Sequence, residues 1–302
     1  MTSRDLPDLA PALHPGAAIA IRPGRRVQIG AHPGREVIVD LPGSIDSHAF
    51  LRLLEDLCVP RTRIEAYRVA AAVGLTPADV DDLLDVLTTT GHAHPATPTP
   101  RSLRIRLHGR GPVTTALHAL LRDAGVQVER STQRPRTHRD GHRSLHGWDC
   151  DLVILTDHLV HDPLVVEAMI RDGIPHLPAR VCDGVGVVGP LVLPGLSSCL
   201  RCDELHRADH DHDWPVVTAQ WVGRSSWAPA SVIAMVAAVA FDQVAQIRQG
   251  LADTSAGVPQ CVDRAVEIGP RPSRMRVRHM SAHPLCPCTG ERPSGSAFTV
   301  GR

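Results

Sequence analysis

Residues 103–129 read LRIRLHGRGPVTTALHALLRDAGVQVE, and this stretch decides the fold class of the larger part of the chain. An apolar strand ends in the turn HGRG, a helical segment follows, and Gly125 separates it from a second strand. Downstream, DLVILTD at residues 151–157 is a continuous apolar run typical of a buried parallel strand, and a helical segment at 161–172 and a strand at 174–181 follow it. This alternation predicts a doubly wound α/β sheet.

Four cysteines in the second half of the chain have the spacing of metal ligands. Cys199 and Cys202 form a C-x2-C pair, and Cys286 and Cys288 form a C-x-C pair far downstream. Four thiolates are the number that a tetrahedral structural zinc site takes, with His283 as an alternative ligand. A redox-active C-x-x-C pair and inert thiols are the competing interpretations. The spacing favours structural zinc.

Two further motifs are weaker. Gly109 and Gly111 supply two positions of the dinucleotide-binding pattern G-x-G-x-x-G, but Thr114 stands at the third position. The His and Asp run at residues 206–213 has ligand chemistry, and a polar loop has the same composition. Neither motif by itself establishes a site.

Residues 18–94 form a smaller unit in which strands come before helices. Turn signals divide residues 18–43 into two or three short antiparallel strands, and helical segments follow at 44–57, 63–73 and 77–90. A small sheet and three helices with a tight turn before the last predict a winged helix-turn-helix. The last helix carries an apolar stripe at Val80, Leu83, Leu84 and Leu87.

The charge of that last helix separates two functions of a winged helix. A DNA-binding version places Arg or Lys at the start of this helix, whereas Asp79, Asp81 and Asp82 stand there in this chain. The acids argue against nucleic acid as a partner. A module that binds a peptide by strand addition and a purely structural domain both stay open.

Composition excludes several chemistries. The 302 residues include 32 Lys and Arg residues together, and all of them are Arg because the chain has no Lys. The chain has no Asn either. A lysine Schiff base and a P-loop are therefore impossible. The net charge is zero, so no global field attracts nucleic acid or an anionic membrane.

The chain termini and the longest apolar stretch bear on location. Residues 1–16 contain acids and prolines where a signal peptide needs a basic and an apolar segment, which predicts a cytoplasmic protein. The near-apolar stretch 228–241 is shorter than the roughly 18 to 20 residues of a membrane span, which predicts a buried helix and no membrane partner. A helix over 228–250 suits core packing or a homodimer equally. The expected organisation is a tail at 1–17, a winged-helix domain at 18–94, a linker at 95–101, an α/β domain at 102–290 and a tail at 291–302.

Three stretches carry a family resemblance: GIPHLPARV at 173–181, VGPLVLPGLSSCLRCDELHRADHDHDWP at 188–215 and HPLCPC at 283–288. They resemble the actinobacterial ThiF-like proteins of azoline biosynthesis on ribosomal peptides, the cyclodehydratase C protein or leader-binding group. The resemblance implies a winged-helix recognition element that captures a precursor's leader peptide and a ThiF-like domain that works with a YcaO-type cyclodehydratase. It implies a zinc staple at Cys199, Cys202, Cys286 and Cys288, and leader binding at Val37, Ile38 and Val39 and on the stripe of the last helix.

The same resemblance bears on catalysis. Adenylating ThiF relatives use a full glycine turn, an acid that ends the second strand, an Asn-Arg pair, a Lys and a later Asp that holds magnesium. Gly109, Gly111 and Asp157 match parts of that set, Glu129 is a poor match for the acid, and the Asn and Lys are absent. The resemblance therefore predicts a degenerate nucleotide site without ATP and a non-catalytic adaptor. The alternatives are an ATP-dependent adenylyltransferase that acts on a peptide C-terminus and a winged-helix DNA-binding regulator.

Overall fold

The chain divides into two compact units, Met1–Thr99 and Pro100–Arg302. The division lies inside the predicted linker, which itself lies outside the described residues, as do most of the polar segment 130–147 and the predicted C-terminal tail. The structure, a computed structural model, describes residues 8–94, 102–132, 145, 148–252, 257–270 and 273–289.

The first unit has a three-stranded antiparallel sheet in the order β2-β3-β4, followed by three helices, as the sequence predicts. Capping boxes at Thr62 and Thr76 stabilise the starts of α2 and α3. In each box the threonine hydroxyl accepts the backbone N–H of the N3 residue, and the carboxylate of that residue accepts the backbone N–H of the threonine. The elements are β1 (Ala12–Leu13), β2 (Ile19–Arg22), β3 (Arg26–Ile29), β4 (Val37–Asp40), α1 (Ser47–Asp56), α2 (Arg63–Ala71), α3 (Pro77–Thr89) and β5 (Ala93–His94).

The predicted N-terminal tail is wrong for residues 8–17. β1 pairs antiparallel with β5, and Ala10 and Leu13 are fully buried in the core of this unit. The backbone N–H of Leu13 donates to the carbonyl of Leu57 over 3.0 Å. The reason is hydrophobic burial, because this unit is small and each apolar side chain removed from water adds to a limited core.

The second unit is built on a seven-stranded sheet in the order β12-β11-β10-β9-β8-β6-β7. Helices α4 and α8 cover one face of the sheet, while α5 packs on Val153 and Leu155 of the other face. The strand at 152–156 is buried on both sides, which explains its unbroken apolar sequence. The elements are β6 (Arg104–His108), α4 (Pro112–Asp123), β7 (Gln127–Ser131), β8 (Leu152–Thr156), α5 (Pro163–Arg171), β9 (His176–Cys182), β10 (Val185–Val188), α6 (Leu200–His210), α7 (Trp214–Ala219), α8 (Ala230–Ala252), β11 (Arg264–Pro270) and β12 (Ser273–His279).

The sheet is mixed rather than wholly parallel. Strands β7, β6, β8 and β9 are parallel, and β10, β11 and β12 continue the sheet antiparallel. The reversal occurs at Asp183 and Gly184, whose φ values of 48° and 86° are those of a two-residue hairpin turn. An Asp-Gly pair between apolar runs signals such a hairpin, so this reversal could have been found in the sequence.

The predicted buried helix is present as α8. Ala230–Leu251 is long and apolar enough to cross a membrane by length and composition alone. However, its residues Val232, Val236, Ala240 and Val244 are fully buried against the sheet and α4. One face of this helix therefore belongs to the core of the second unit, and 33% of its apolar window is buried.

Candidate functional sites

Asp157 lies at the point where the predicted nucleotide site would hold phosphate. Its carboxylate accepts the backbone N–H groups of Val113 and Thr114, each over 2.9 Å, and the hydroxyl of Thr114. These are the first N–H groups of α4, which has no capping side chain of its own. Because a helix N-terminus with free N–H groups attracts anions, the protein's own carboxylate occupies the anion site.

The two glycines of the turn make this contact possible. A Cβ on Gly109 would lie 2.3 Å from the carbonyl oxygen of Thr156, and one on Gly111 would lie 2.5 Å from Cγ of Asp157. Gly109 also has a φ of 150°, where side chains are disfavoured. The glycines therefore allow the turn to pack on the end of β8. Thr114, at the third position of the fingerprint, is fully buried and bonded to both Thr156 and Asp157.

Glu129 does not provide a free acid either. Its carboxylate accepts the guanidinium of Arg106 from the neighbouring strand β6 over 2.5 Å. Arg106 is buried, and its guanidinium stacks 5.2 Å from the ring centroid of Trp148. The residues that match a nucleotide site therefore have partners within the protein: Asp157 accepts hydrogen bonds from the start of α4, and Glu129 pairs with Arg106.

The four cysteines predicted as zinc ligands converge on one point. All four are buried, and their sulfur atoms lie within 4.8 Å of one another. The Sγ atom of Cys199 is 3.8 Å from that of Cys202 and 3.6 Å from that of Cys286, and Cys202 lies 3.4 Å from Cys288. A tetrahedron of sulfurs around zinc at about 2.3 Å has edges of about 3.8 Å. The cluster can therefore bind a metal such as zinc.

The pKa shifts of the two paired thiols have opposite directions. Burial raises the pKa of the Cys199 thiol to about 12, and the neighbouring Cys202 and Cys286 add to the rise. Burial acts in the same direction on Cys202, but backbone hydrogen bonds at Cys199 and His283 and hydrogen bonds with the neighbouring thiols lower the pKa of Cys202 overall. A reactive cysteine needs a lowered pKa, because the thiolate is the nucleophile, so these shifts do not separate a redox role from a metal role. A divalent cation supplies the charge that stabilises thiolates at such a site.

His283 is not a fourth ligand of this cluster. Its Nε2 lies 2.9 Å from Oδ2 of Asp209, and its Nδ1 accepts the backbone N–H of Leu285 over 3.1 Å. His206 stacks edge-on against it at 4.7 Å between ring centroids. The first part of the His and Asp run belongs to α6 rather than to a loop, and it ties the C-terminal segment to that helix.

The strand predicted to bind a peptide is an edge strand. Among the described residues, β4 pairs only with β3, and the backbone N–H of Leu41 donates to the carbonyl of Arg25 over 2.9 Å. Because inward and outward N–H groups alternate along an antiparallel strand, Val37 and Val39 bond to β3 and Ile38 faces the open edge. The side chains of Val37 and Val39 pack on the core, and that of Ile38 is 42% exposed.

The apolar stripe of α3 is mostly core. Val80, Leu84 and Leu87 are at most 1% exposed, so they cannot contact a peptide, and that part of the prediction is wrong. Helix α3 is amphipathic, and the apolar face of such a helix packs on the core of its own domain. Leu83 remains partly exposed, and Val86, three residues further on, is 46% exposed. Residues three apart are neighbours on a helix surface, so the sequence could have indicated Val86 as an exposed apolar neighbour of Leu83.

The acids of α3 have structural partners. Asp79 closes the capping box with Thr76. Asp81 accepts the hydroxyl of Tyr67 at 2.9 Å and pairs with Arg63. Capping of α3 therefore explains Asp79, and packing of α2 on α3 explains Asp81.

No protein-family model and no curated protein matches the sequence. Among solved structures, E. coli MccB with ATP superposes with a TM-score of 0.57 at 13% identity, over 93% of this chain and 99% of MccB. MccB, a microcin C7 biosynthetic enzyme, in complex with N-formylated MccA gives 0.58 at 13% identity with the same coverage. The chain shares the fold of MccB. A heterocyclase in complex with substrate and cofactor gives 0.61 at 15% identity, over 94% of this chain and 40% of the heterocyclase. The ThiF-like α/β fold that the resemblance implies is thus confirmed.

Replacement of Asp157 tests its role as an internal anion. In Asp157→Ala, two buried N–H groups and the Thr114 hydroxyl lose their acceptor, so we expect the free energy of unfolding of the second unit to fall by roughly 3 kcal/mol. Urea unfolding followed by tryptophan fluorescence measures this unit selectively, because all four tryptophans lie in it: Trp148, Trp214, Trp221 and Trp227.

The matched control is Asp123→Ala at the other end of α4. Asp123 is exposed and lies beside the negative end of the helix dipole, so its loss leaves stability unchanged or slightly higher. Equal effects of the two substitutions would contradict the capping role of Asp157.

Proposed function

We propose that this protein is a non-catalytic adaptor that binds the leader of a ribosomal precursor peptide and presents the peptide to a YcaO-type cyclodehydratase. The observation that carries the non-catalytic part is the Asp157 carboxylate on the N-terminus of α4. ATP phosphates would have to displace a buried, threefold hydrogen-bonded carboxylate of the same charge. The fold shared with MccB, which was solved with MccA, supports a role in peptide modification.

In this proposal the peptide binds along the open edge of β4, beside the end of α3. The beginning of β4 and the end of α3 are joined, because Arg35 donates to the carbonyl of Thr90 over 3.3 Å and the carbonyl of Arg35 lies 2.6 Å from Nε2 of His92. An added strand would bond to the backbone of Ile38. Its apolar side chains would contact the apolar residues of α3 that are not buried, Leu83 and Val86.

Proline at the open edge tests this site. Ile38→Pro removes an outward N–H without disturbing the bonds between β3 and β4, so we expect binding of a fluorescein-labelled precursor peptide from the same gene cluster to weaken by about tenfold. Fluorescence anisotropy measures the affinity. Val39→Pro is unsuitable, because Val39 faces β3 and its loss damages the sheet itself.

The control uses the opposite edge of the same sheet. Ile21 of β2 also has an outward N–H, since Gly30 donates to Ala18 and the pattern alternates from there, and its side chain is 38% exposed. Ile21→Pro should leave the affinity unchanged. Equal weakening by both prolines, or none by Ile38→Pro, would count against β4 as the binding edge.

We further propose that Cys199, Cys202, Cys286 and Cys288 hold a structural zinc ion. Four buried thiols with sulfur spacings near a tetrahedral edge support this assignment. Zinc at such a site supplies cross-linking of the chain and leaves no open position for a substrate. The residues themselves join the start of α6 to the segment after β12.

Metal analysis tests the zinc site. The purified protein should contain about one zinc ion per chain, and Cys199→Ser should lose it and lower the melting temperature by roughly 10 °C. Cys182→Ser is the control, because Cys182 lies in β9 outside the cluster and its loss should affect neither quantity. A metal-free wild-type protein with unchanged stability in Cys199→Ser would refute the assignment.

An ATP-dependent adenylyltransferase is the second candidate, and one observation favours it: MccB, which has the same fold, was solved with ATP. Exchange of labelled pyrophosphate into ATP in the presence of the precursor peptide separates the two functions. We expect no exchange above background, because the helix N-terminus is occupied by Asp157. Clear turnover would replace the adaptor with an enzyme, whatever the result at β4.

A further inference from the structure

A cavity of about 700 Å³ lies in the second unit, away from the residues of the nucleotide fingerprint. Helix α5, strands β9 and β10 and the start of α6 enclose it, and three of the clustered cysteines border it. Volumes of about 300 to 1,000 Å³ are typical of small-molecule sites. Most of its wall is apolar and includes Val160, Val166, Ile170, Val187 and Leu200.

One wall residue is a buried histidine without a hydrogen bond. His161 is 6% exposed, and neither Nδ1 nor Nε2 has a hydrogen-bond partner among the described residues. Burial holds the pKa of this imidazole well below its usual value, with Arg180 adding to the effect, so the ring is neutral. A neutral imidazole offers one N–H donor and one acceptor, and leaving both unused inside a protein is costly.

A second wall residue is a cation without a counter-ion. Arg180 donates to the carbonyl of Leu159, and within the described ranges no carboxylate forms an ion pair with it. The acids nearest to it are already engaged: Asp203 with Arg278 at 2.8 Å, and Glu204 with the indole N–H of Trp214 at 2.6 Å. A half-buried guanidinium without an ion pair favours an anion in the cavity beside it.

We propose that this cavity binds a carboxylate with an apolar body, whose head group lies between Arg180 and His161. The guanidinium fork matches a carboxylate in geometry and charge, and the imidazole N–H supplies a further donor. The apolar wall takes the remainder of the ligand. The site is independent of the leader-binding edge in the first unit. The carboxylate comes either from a free small acid or from the C-terminus of a peptide.

Paired probes test the head group in the zinc-replete full chain. N-acetyl-leucine represents the free acid and acetyl-Ala-Ala-Leu represents a peptide terminus, and each has its C-terminal amide as a partner of the same shape. Calorimetric titration at probe concentrations up to about 10 mM should show each binding acid at least about tenfold tighter than its amide. Binding of the first acid alone identifies a small-molecule site, and binding of the second identifies a site for a peptide terminus.

Two variants connect the binding to its residues. Arg180→Gln should weaken the acid by about tenfold, while Arg122→Gln, which removes the same charge from exposed α4, should leave it unchanged. His161→Phe fills the same space without polar atoms, so it should weaken binding while stability is kept or increased. A merely structural His161 would lose stability instead.

The wild-type comparison decides the proposal even where a variant fails to fold. Acids that bind no tighter than their amides, or no binding by either acid at these concentrations, would overturn the carboxylate site. Undiminished binding by folded Arg180→Gln would overturn it as well.

Discussion

The second unit depends on a carboxylate at the N-terminus of a helix. Asp157 stands at the end of β8 with a φ of 64°, a conformation that Asp tolerates better than most residues, and its side chain crosses to the first N–H groups of α4. This contact ties two parallel strands and a helix together at the carboxyl edge of the sheet, where doubly wound proteins bind their ligands. The N-terminus of α4, which could bind a phosphate, instead binds the carboxylate of Asp157.

Several sequence features acquire a common explanation from that contact. Gly109 and Gly111 are required because the turn lies against Thr156 and Asp157, and Thr114 is required because its hydroxyl completes the carboxylate's partners. The incomplete fingerprint therefore has a structural explanation. The glycines let the turn after β6 pack against the end of β8.

Two further groups of chemically distinctive side chains lie in the second unit, the cysteine cluster and the cavity beside it. The cysteine cluster joins α6 to the segment that follows β12, and His283 and Asp209 reinforce the same connection. Beside the cluster, the cavity combines an apolar wall with Arg180 and with His161, whose ring nitrogens have no hydrogen-bond partner among the described residues. The first unit contributes an open sheet edge at β4.

Local signals made most of the elements predictable. Turn residues and helix caps gave the three strands and three helices of the first unit, and the apolar runs gave the parallel core of the second. The Asp183-Gly184 pair between apolar runs is likewise a local signal for the hairpin that reverses the sheet. The N-terminal pairing of β1 with β5 joins segments about eighty residues apart, and no local pattern encodes such a contact.

The sequence by itself predicted which four cysteines would form a cluster, because the spacings at Cys199 and Cys286 are properties of short segments, and it excluded lysine chemistry outright. Only the tertiary structure decided what the matching residues do. Whether Asp157 faces a nucleotide or a helix, which residues of α3 are buried, and whether His161 has a partner all depend on contacts between distant segments. Those contacts are set by packing in three dimensions, which a residue's neighbours along the chain do not fix.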